Sequence, residues 1–327
     1  MRNFDGSGIQ GASVGEREPE AFQIMVQDQQ PLAVWHWPVS PGVSPQGVVQ
    51  IVHGMAEHAK RYQATAEALC AVGYAVVAHD QRGHGQTAAG QLQGHYADHG
   101  GWELIIKDLC AVRDRITSIY PSCPVFMLGH SMGSFIAQDY MELRGHDLAG
   151  VILSGSSYLH PKLAGLLRIF PWIESLRQGR RQKSPLVHYL SFASFNRHFR
   201  PNRSEFDWLS RDPDEVDLYI QDPMCGFRCS NQLWMDLMGA LRHIFDPRRQ
   251  KQIPPDLPVY IIGGTEDPVS SYSADLLKLV SSLKRAGMQQ IHSRFFPGCR
   301  HELFHEINRE EIMEDLIRWI RCQRGRG

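Results

Sequence analysis

Val125-Phe126-Met127-Leu128-Gly129-His130-Ser131-Met132-Gly133-Ser134-Phe135-Ile136-Ala137 is the stretch on which the reading of this chain turns. An apolar run, 124–128, enters Gly-x-Ser-x-Gly, and a helix-compatible run, 134–143, leaves it. Strand, Gly-x-Ser-x-Gly, helix is the context of a nucleophile elbow. Gly129 and Gly133, on either side of His130 and Ser131, let the backbone turn where a Cβ would collide with strand or helix. Such a turn lifts the Ser131 hydroxyl above the sheet edge. The new helix then aims its free N–H groups at whatever Ser131 attacks.

Outward from the elbow, strand-like and helix-like segments alternate. Residues 21–26 and 33–37, with Pro31 between them, suit an antiparallel hairpin. The Pro-rich segment 38–45 is a loop. Residues 47–52 form a buried strand that runs into His53-Gly54-Met55-Ala56-Glu57-His58. The spacing predicts a helix over 61–72, stopped at Gly73. A strand over 74–78 precedes Asp80-Gln81-Arg82-Gly83-His84-Gly85, and 102–120 is a long amphipathic helix stopped by Pro121. Beyond the elbow, 150–154 is a strand. No convincing buried strand follows from Gly155 to about Asp256. The alternation resumes with strands over 259–262 and 291–296, a helix over 273–286 between them, and a closing helix over 307–322. The expected fold class is α/β, a mostly parallel central sheet with helices on both faces. The expected organisation is a core made of 21–154 and 257–327, a helical cap inserted over 155–256, and a disordered, glycine-dotted leader over 1–20.

Composition narrows the function classes. With 327 residues, 43% hydrophobic and 21% charged, the chain reads as globular. A formal net charge of −1 offers nothing for nucleic acid, which is not expected as a partner. No apolar run approaches the roughly 18–20 residues of a bilayer span, and the leader lacks the apolar region of a signal peptide. Seven irregularly spaced cysteines do not resemble a disulfide framework. The expected compartment is the cytoplasm.

A serine hydroxyl is a poor nucleophile until a histidine takes its proton and an acid orients that histidine. In an α/β-hydrolase the three arrive in the order Ser, Asp/Glu, His at the C-terminal ends of strands. After Ser131 the chain offers Asp267, just past the strand over 259–262, and His301, just past the strand over 291–296. Glu266 is a rival acid by the same position. The oxyanion of a tetrahedral intermediate needs preorganised N–H donors. Met132, after the nucleophile, and Met55, in the His53-Gly54 loop, stand in the two usual places. Glu57, His58, Arg82 and His84 flank this site and are expected to fix its loops.

The chain resembles the monoacylglycerol lipase and lysophospholipase branch of the α/β-hydrolases, often labelled serine aminopeptidase-like. The resemblance rests on His53 to His58 with Arg61-Tyr62, Asp80 to Gly85, Gly129 to Gly133, Glu266-Asp267-Pro268-Val269 and Pro297-Gly298-Cys299-Arg300-His301-Glu302. It extends into the cap through Phe206-Asp207-Trp208-Leu209-Ser210 and Asp222-Pro223-Met224-Cys225-Gly226-Phe227. It implies Ser131 as nucleophile, Asp267 as acid, His301 as base, Met55 and Met132 as oxyanion donors, and an ester or lipid substrate. It implies neither a metal nor an organic cofactor. Cys299 stands where a smaller residue is expected, which raises the question of thiol sensitivity.

Other readings compete. His301-Glu302-Leu303-Phe304-His305 matches H-E-x-x-H, which needs a helix to put both histidines on one face of a zinc ion. A non-catalytic hydrolase scaffold is expected to lack a triad member, and this chain has all three. Peptidase and short-chain esterase activities remain open on the same fold. In the cap, the apolar segment 163–173 is followed by the basic stretch 177–183. This suits either a lid that touches lipid or, the stronger reading, a helix packed on the sheet before a solvated loop. Cys225 and Cys229 are expected to be structural thiols. Acyl-chain length, headgroup and oligomeric state are not readable.

Overall fold

The computed structural model describes residues 18–324. An eight-stranded sheet has the order β1-β2-β4-β3-β5-β6-β7-β8. Its strands are β1 (Glu20–Met25), β2 (Pro31–Trp37), β3 (Gly47–Val52), β4 (Tyr74–His79), β5 (Val125–His130), β6 (Gly150–Ser154), β7 (Val259–Gly264) and β8 (Ile291–Phe296). Pairing is antiparallel from β1 to β2 and from β2 to β4, and parallel across the rest. Pro31 opens β2 rather than preceding it, opposite Met25. A first strand position tolerates the missing N–H. The leader expected over 1–20 lies outside the described residues as far as residue 17, and Glu20 already belongs to β1.

Helices cover both faces. They are α1 (Gln63–Ala71), α2 (Gly101–Ile119), α3 (Met132–Arg144), α4 (Pro161–Leu167), α5 (Ile169–Gln178), α6 (Pro185–Leu190), α7 (Phe192–Phe195), α8 (Pro213–Gln221), α9 (Asn231–Ile244), α10 (Pro247–Gln250), α11 (Ala274–Ala286) and α12 (Arg309–Arg324). Side chains alternate across a strand, so β3 serves two cores. Val48 and Val52 pack with Leu109 of α2, Ile136 of α3 and Leu237 of α9. Val49 and Ile51 face Leu69 of α1 and Leu316 of α12. Six consecutive buried residues in β3, β4, β5 and β7 are what a parallel sheet covered on both faces requires.

The last helix starts at Arg309, two residues later than the periodicity predicts. Buried Glu306 holds the preceding loop: its carboxylate accepts from Arg211 Nε (2.8 Å) and from the N–H groups of Arg300 (2.8 Å) and Ile307 (3.1 Å). Between β6 and β7 the described residues form helices and loops only. The stronger reading of 163–173, a helix packed on the sheet, is not what forms. In α5 only Pro171 and Glu174 are buried, while Trp172 is 51% and Leu176 70% exposed. Buried Glu174 accepts from Ser184 Oγ (2.6 Å), Arg177 (2.8 Å) and Gln178 (2.7 Å), and the apolar side chains of the helix lie on its exposed faces. Among the described residues no helix is long and apolar enough to cross a membrane.

Candidate active site

The site is assembled at the C-terminal ends of β3, β5, β6, β7 and β8. Ser131 joins β5 to α3 with φ 51° and ψ −120°, a conformation costly for a residue with a side chain. Close packing imposes it. A Cβ on Gly129 would lie 2.4 Å from the Gly133 carbonyl oxygen, and one on Gly133 only 2.0 Å from that of Val52. The Ser131 N–H donates to the Ser154 carbonyl at the end of β6 (2.9 Å), and Ser134 Oγ donates to the Ser131 carbonyl (2.6 Å). Met132 is the first residue of α3, where the peptide N–H has no acceptor within the helix.

His301 and Asp267 are buried and joined, with Nδ1 3.1 Å from Asp267 Oδ1. The Val269 N–H donates to the same oxygen (2.9 Å). With Nδ1 turned to the acid, Nε2 is the ring atom left for proton transfer. Burial pulls the His301 pKa down, but the charge and hydrogen bond of Asp267, helped by Glu302 and Glu57, outweigh it and leave the pKa raised above 6.5. Gly155, following Ser154, takes φ 55° beside the ring; a Cβ there would meet His301 Cε1 at 3.1 Å. A Cβ on Gly54 would approach that of Ser131 at 3.2 Å. The His53 loop, the elbow and the His301 loop therefore share one small space. Glu266, the rival acid, points elsewhere and pairs with His198 of the cap (3.2 Å).

The turn carrying Met55 is clamped at both ends. The Gly54 N–H donates to Glu57 Oε1 (2.5 Å). The Ala56 carbonyl accepts from Tyr219 Oη and from the Gly226 N–H, both at 2.9 Å, and Ala56 has φ 57°. His53 is a buried neutral ring whose Nδ1 donates to the Gly54 carbonyl (2.8 Å) while Nε2 accepts from the Gln81 N–H (3.0 Å). Burial, then His84, hold its pKa well below the usual value. His84 Nδ1 donates to the Arg82 carbonyl (2.8 Å). Arg82 itself bridges Asp28 (2.5 Å) and Asp108 (2.5 Å). His58 Nε2 bonds Asp222 of the cap (2.8 Å).

Sequence reading quoted several residues here without giving them work. Arg61 Nη1 donates to Glu57 (2.8 Å), and its guanidinium forms a two-pronged pair with Glu302 (2.6 and 2.8 Å). Burial alone would raise the Glu302 pKa; the charge and hydrogen bonds of Arg61 hold it far below the carboxylate range. The only sequence signal was the four-residue spacing from Glu57 to Arg61. Trp208 places its ring 5.1 Å from His301, and its carbonyl accepts the His301 N–H at 3.4 Å.

The H-E-x-x-H pattern is not on one helix. Leu303–His305 is a single tight turn, and His305 Nε2 donates to the Arg61 carbonyl (3.0 Å). The two cap cysteines have different surroundings. His58, Asp222 and Cys225 bring ligand-type atoms within 4.8 Å of one another. His58 was invisible as a neighbour in the sequence, and its ring already bonds Asp222. Burial raises the Cys225 thiol, and it raises Cys229 to about 12. Cys299 is fully buried and receives a hydrogen bond from Arg211 (3.2 Å). Its pKa is pushed up to about 11, first by burial, so it is a poor target for thiol reagents.

Four likenesses to known proteins bear on this geometry. A family model described as "Serine aminopeptidase, S33" matches residues 43–308. The chain is 25% identical over 281 residues to a monoacylglycerol lipase of Mycolicibacterium smegmatis, covering 86% of this chain and 90% of that protein. It is 26% identical over 291 residues to a monoglyceride lipase of Homo sapiens, covering 86% of each. Among solved structures, a thermostable carboxyl esterase from Bacillus coagulans, crystallised with glycerol, matches with TM-score 0.85 at 27% identity. That match covers 94% of this chain and 99% of the other.

Proposed function

The chain belongs to the serine aminopeptidase, S33, family, and from that premise we propose that it hydrolyses the carboxylic ester of monoacylated glycerolipids, monoacylglycerol or lysophospholipid. The observation that carries this reading is the Asp267–His301 pair, buried beside a serine held at φ 51°. Ser131 Oγ attacks the acyl carbon as His301 Nε2 takes its proton. The negative oxygen is received by the Met55 and Met132 N–H groups. His301 then passes the proton to the departing glyceryl oxygen, and water cleaves the acyl-enzyme by the same steps. Asp267 holds the imidazole and stabilises its charged form. His53, Gly54, Glu57, Arg82 and His84 support the loops, and no metal or organic cofactor enters the reaction.

The family's description names a peptidase, but the local charges favour an ester. An aminopeptidase must hold a substrate ammonium with a free carboxylate. Beside this site Glu57 and Glu302 are occupied by Arg61, and Asp222 by His58. A hydrolysis panel of monoacylglycerols, lysophospholipids, short p-nitrophenyl esters and an aminopeptidase substrate tests the assignment. Turnover of the peptide alone would overturn it.

The pH dependence follows from the raised His301 pKa. The base must be neutral, so kcat/KM is expected to fall as pH drops through a value above 6.5. Asp267→Asn removes the charge that raises it, so the remaining activity should lose its acid limb at lower pH than the parent. A pH–rate profile with an unmoved limb would remove Asp267 as the partner of the base.

The proposal extends to the cap and to the compartment. Leu166, Phe170, Trp172 and Leu176 expose an apolar surface on α4 and α5, the pattern of a segment that rests on lipid; the neighbouring Arg177 and Arg181 are exposed but pair with Glu174 and Asp98. A Phe170→Ala, Trp172→Ala double variant is expected to bind anionic vesicles several-fold more weakly in a sedimentation assay; equal binding would sink the contact. All seven cysteines are free thiols, as suits a reducing cytoplasm.

A further inference from the structure

A cavity of about 360 Å³ opens in the cap between α6 and the segment that follows α7. Its lining includes three solvent-exposed arginines, Arg197, Arg200 and Arg228, and a single acid, Glu205, also exposed. Among the described residues, no carboxylate forms an ion pair with any of the three. Arg203 and Arg211, close by in sequence, are paired with Asp217 (2.6 Å) and Glu306 (2.8 Å). Arg197 donates to a neutral partner, Tyr189 Oη (2.5 Å), and lies over that ring at 5.2 Å. Burial and then Arg228 push the His188 pKa down, and Glu205 pushes it back up, so both charges act on this lining histidine. Three like charges around one hollow repel each other, and an anion between them relieves the repulsion. Arginine forks suit oxygen pairs. Three forks exceed what the two oxygens of a carboxylate can accept and match the oxygens of a phosphate.

We propose that this cavity binds the phosphate group of a phosphorylated ligand. Two walls connect it to the reaction centre. Asn196 Oδ1 accepts the Trp208 N–H (3.0 Å), and Trp208 packs on His301. Phe206 packs on Tyr219 (5.1 Å), whose hydroxyl holds the Ala56 carbonyl next to Met55. An occupant is thus two residues from both the base and the oxyanion turn. A lysophospholipid headgroup seated here would separate that substrate from a neutral monoacylglycerol. This lipid source rests on the ester-hydrolase reading; the phosphate site itself does not.

The binding arm uses Ser131→Ala protein, so no turnover is required. Calorimetry with inorganic phosphate and with glycerol 3-phosphate, at constant ionic strength, is expected to show saturable binding. An Arg200→Gln, Arg228→Gln pair should weaken it by about tenfold for each guanidinium removed, the weight of one charge-assisted hydrogen bond. If thermal melting shows that this pair does not fold, Arg200→Lys, Arg228→Lys is read instead. It keeps both charges, loses the forks and should bind several-fold more weakly. No saturable binding, or equal binding by the folded variant, overturns the proposal. The source of the phosphate is read with Ser131 in place. A fall in kcat/KM for a lysophospholipid, with a monoacylglycerol unchanged, assigns the headgroup. Loss of calorimetric binding with both rates unchanged assigns free phosphate. Wild-type protein that turns over neither lipid refutes the hydrolase reading and leaves the binding result standing.

Discussion

Ser131→Ala is expected to lower ester hydrolysis by about 10⁴–10⁶-fold, the loss typical of removing the nucleophile from a serine triad. The variant should fold, because what holds the elbow is not the hydroxyl. The Ser131 N–H bond to Ser154, the Ser134 bond to the Ser131 carbonyl and the contacts of Gly129 and Gly133 all survive. Alanine inherits the φ of 51° that this packing imposes. An unchanged melting temperature, lost turnover and lost labelling by a fluorophosphonate together make the result specific. Turnover within tenfold of the parent would end the reading of Ser131 as nucleophile.

The second large effect concerns Arg61, a residue that touches no reacting atom. Its guanidinium neutralises Glu57 and Glu302, both about 95% or more buried. Arg61→Met keeps most of the aliphatic volume and leaves two carboxylates facing each other without a cation. Breaking a buried ion pair from one side costs about 3–5 kcal/mol. The loss should appear in chemical denaturation. Activity should fall as well, because Glu57 holds the Gly54 N–H and hence one end of the turn that presents Met55. Adding Glu302→Gln to Arg61→Met should recover part of the stability, since a neutral amide no longer repels Glu57. Denaturation midpoints that coincide for parent and Arg61→Met would show that the network carries no such weight.

Much of this site was legible because it is written in local patterns. An apolar run, a Gly-x-Ser-x-Gly turn and a helical run need only near neighbours to take shape. Asp267 and His301 were legible as candidates because each stands just past a strand, and strand ends of a parallel sheet converge on one edge. Where the pattern was local but its setting was not, reading alone was insufficient. H-E-x-x-H matched a zinc motif, yet the Asp267 bond to one ring and the Arg61 carbonyl on the other give both histidines partners in the candidate site. The apolar segment 163–173 announced a buried face, but periodicity does not name the surface that meets it. In the fold, Glu174 is on the buried side of α5 and the apolar side chains are exposed.

By itself, then, the sequence determined the α/β class, the order of the elements and the three residues that stand at the strand ends. Backbone preference and side-chain alternation act over a few residues, and those were sufficient. The tertiary structure alone decided which charges meet. Arg61 pairs with Glu302 across 241 positions, and His58 with Asp222 across 164. Three cap arginines come to line one hollow with a single acid, Glu205, that pairs with none of them among the described residues. Coulomb energy depends on separation in space and on burial, and neither is a property of spacing along the chain.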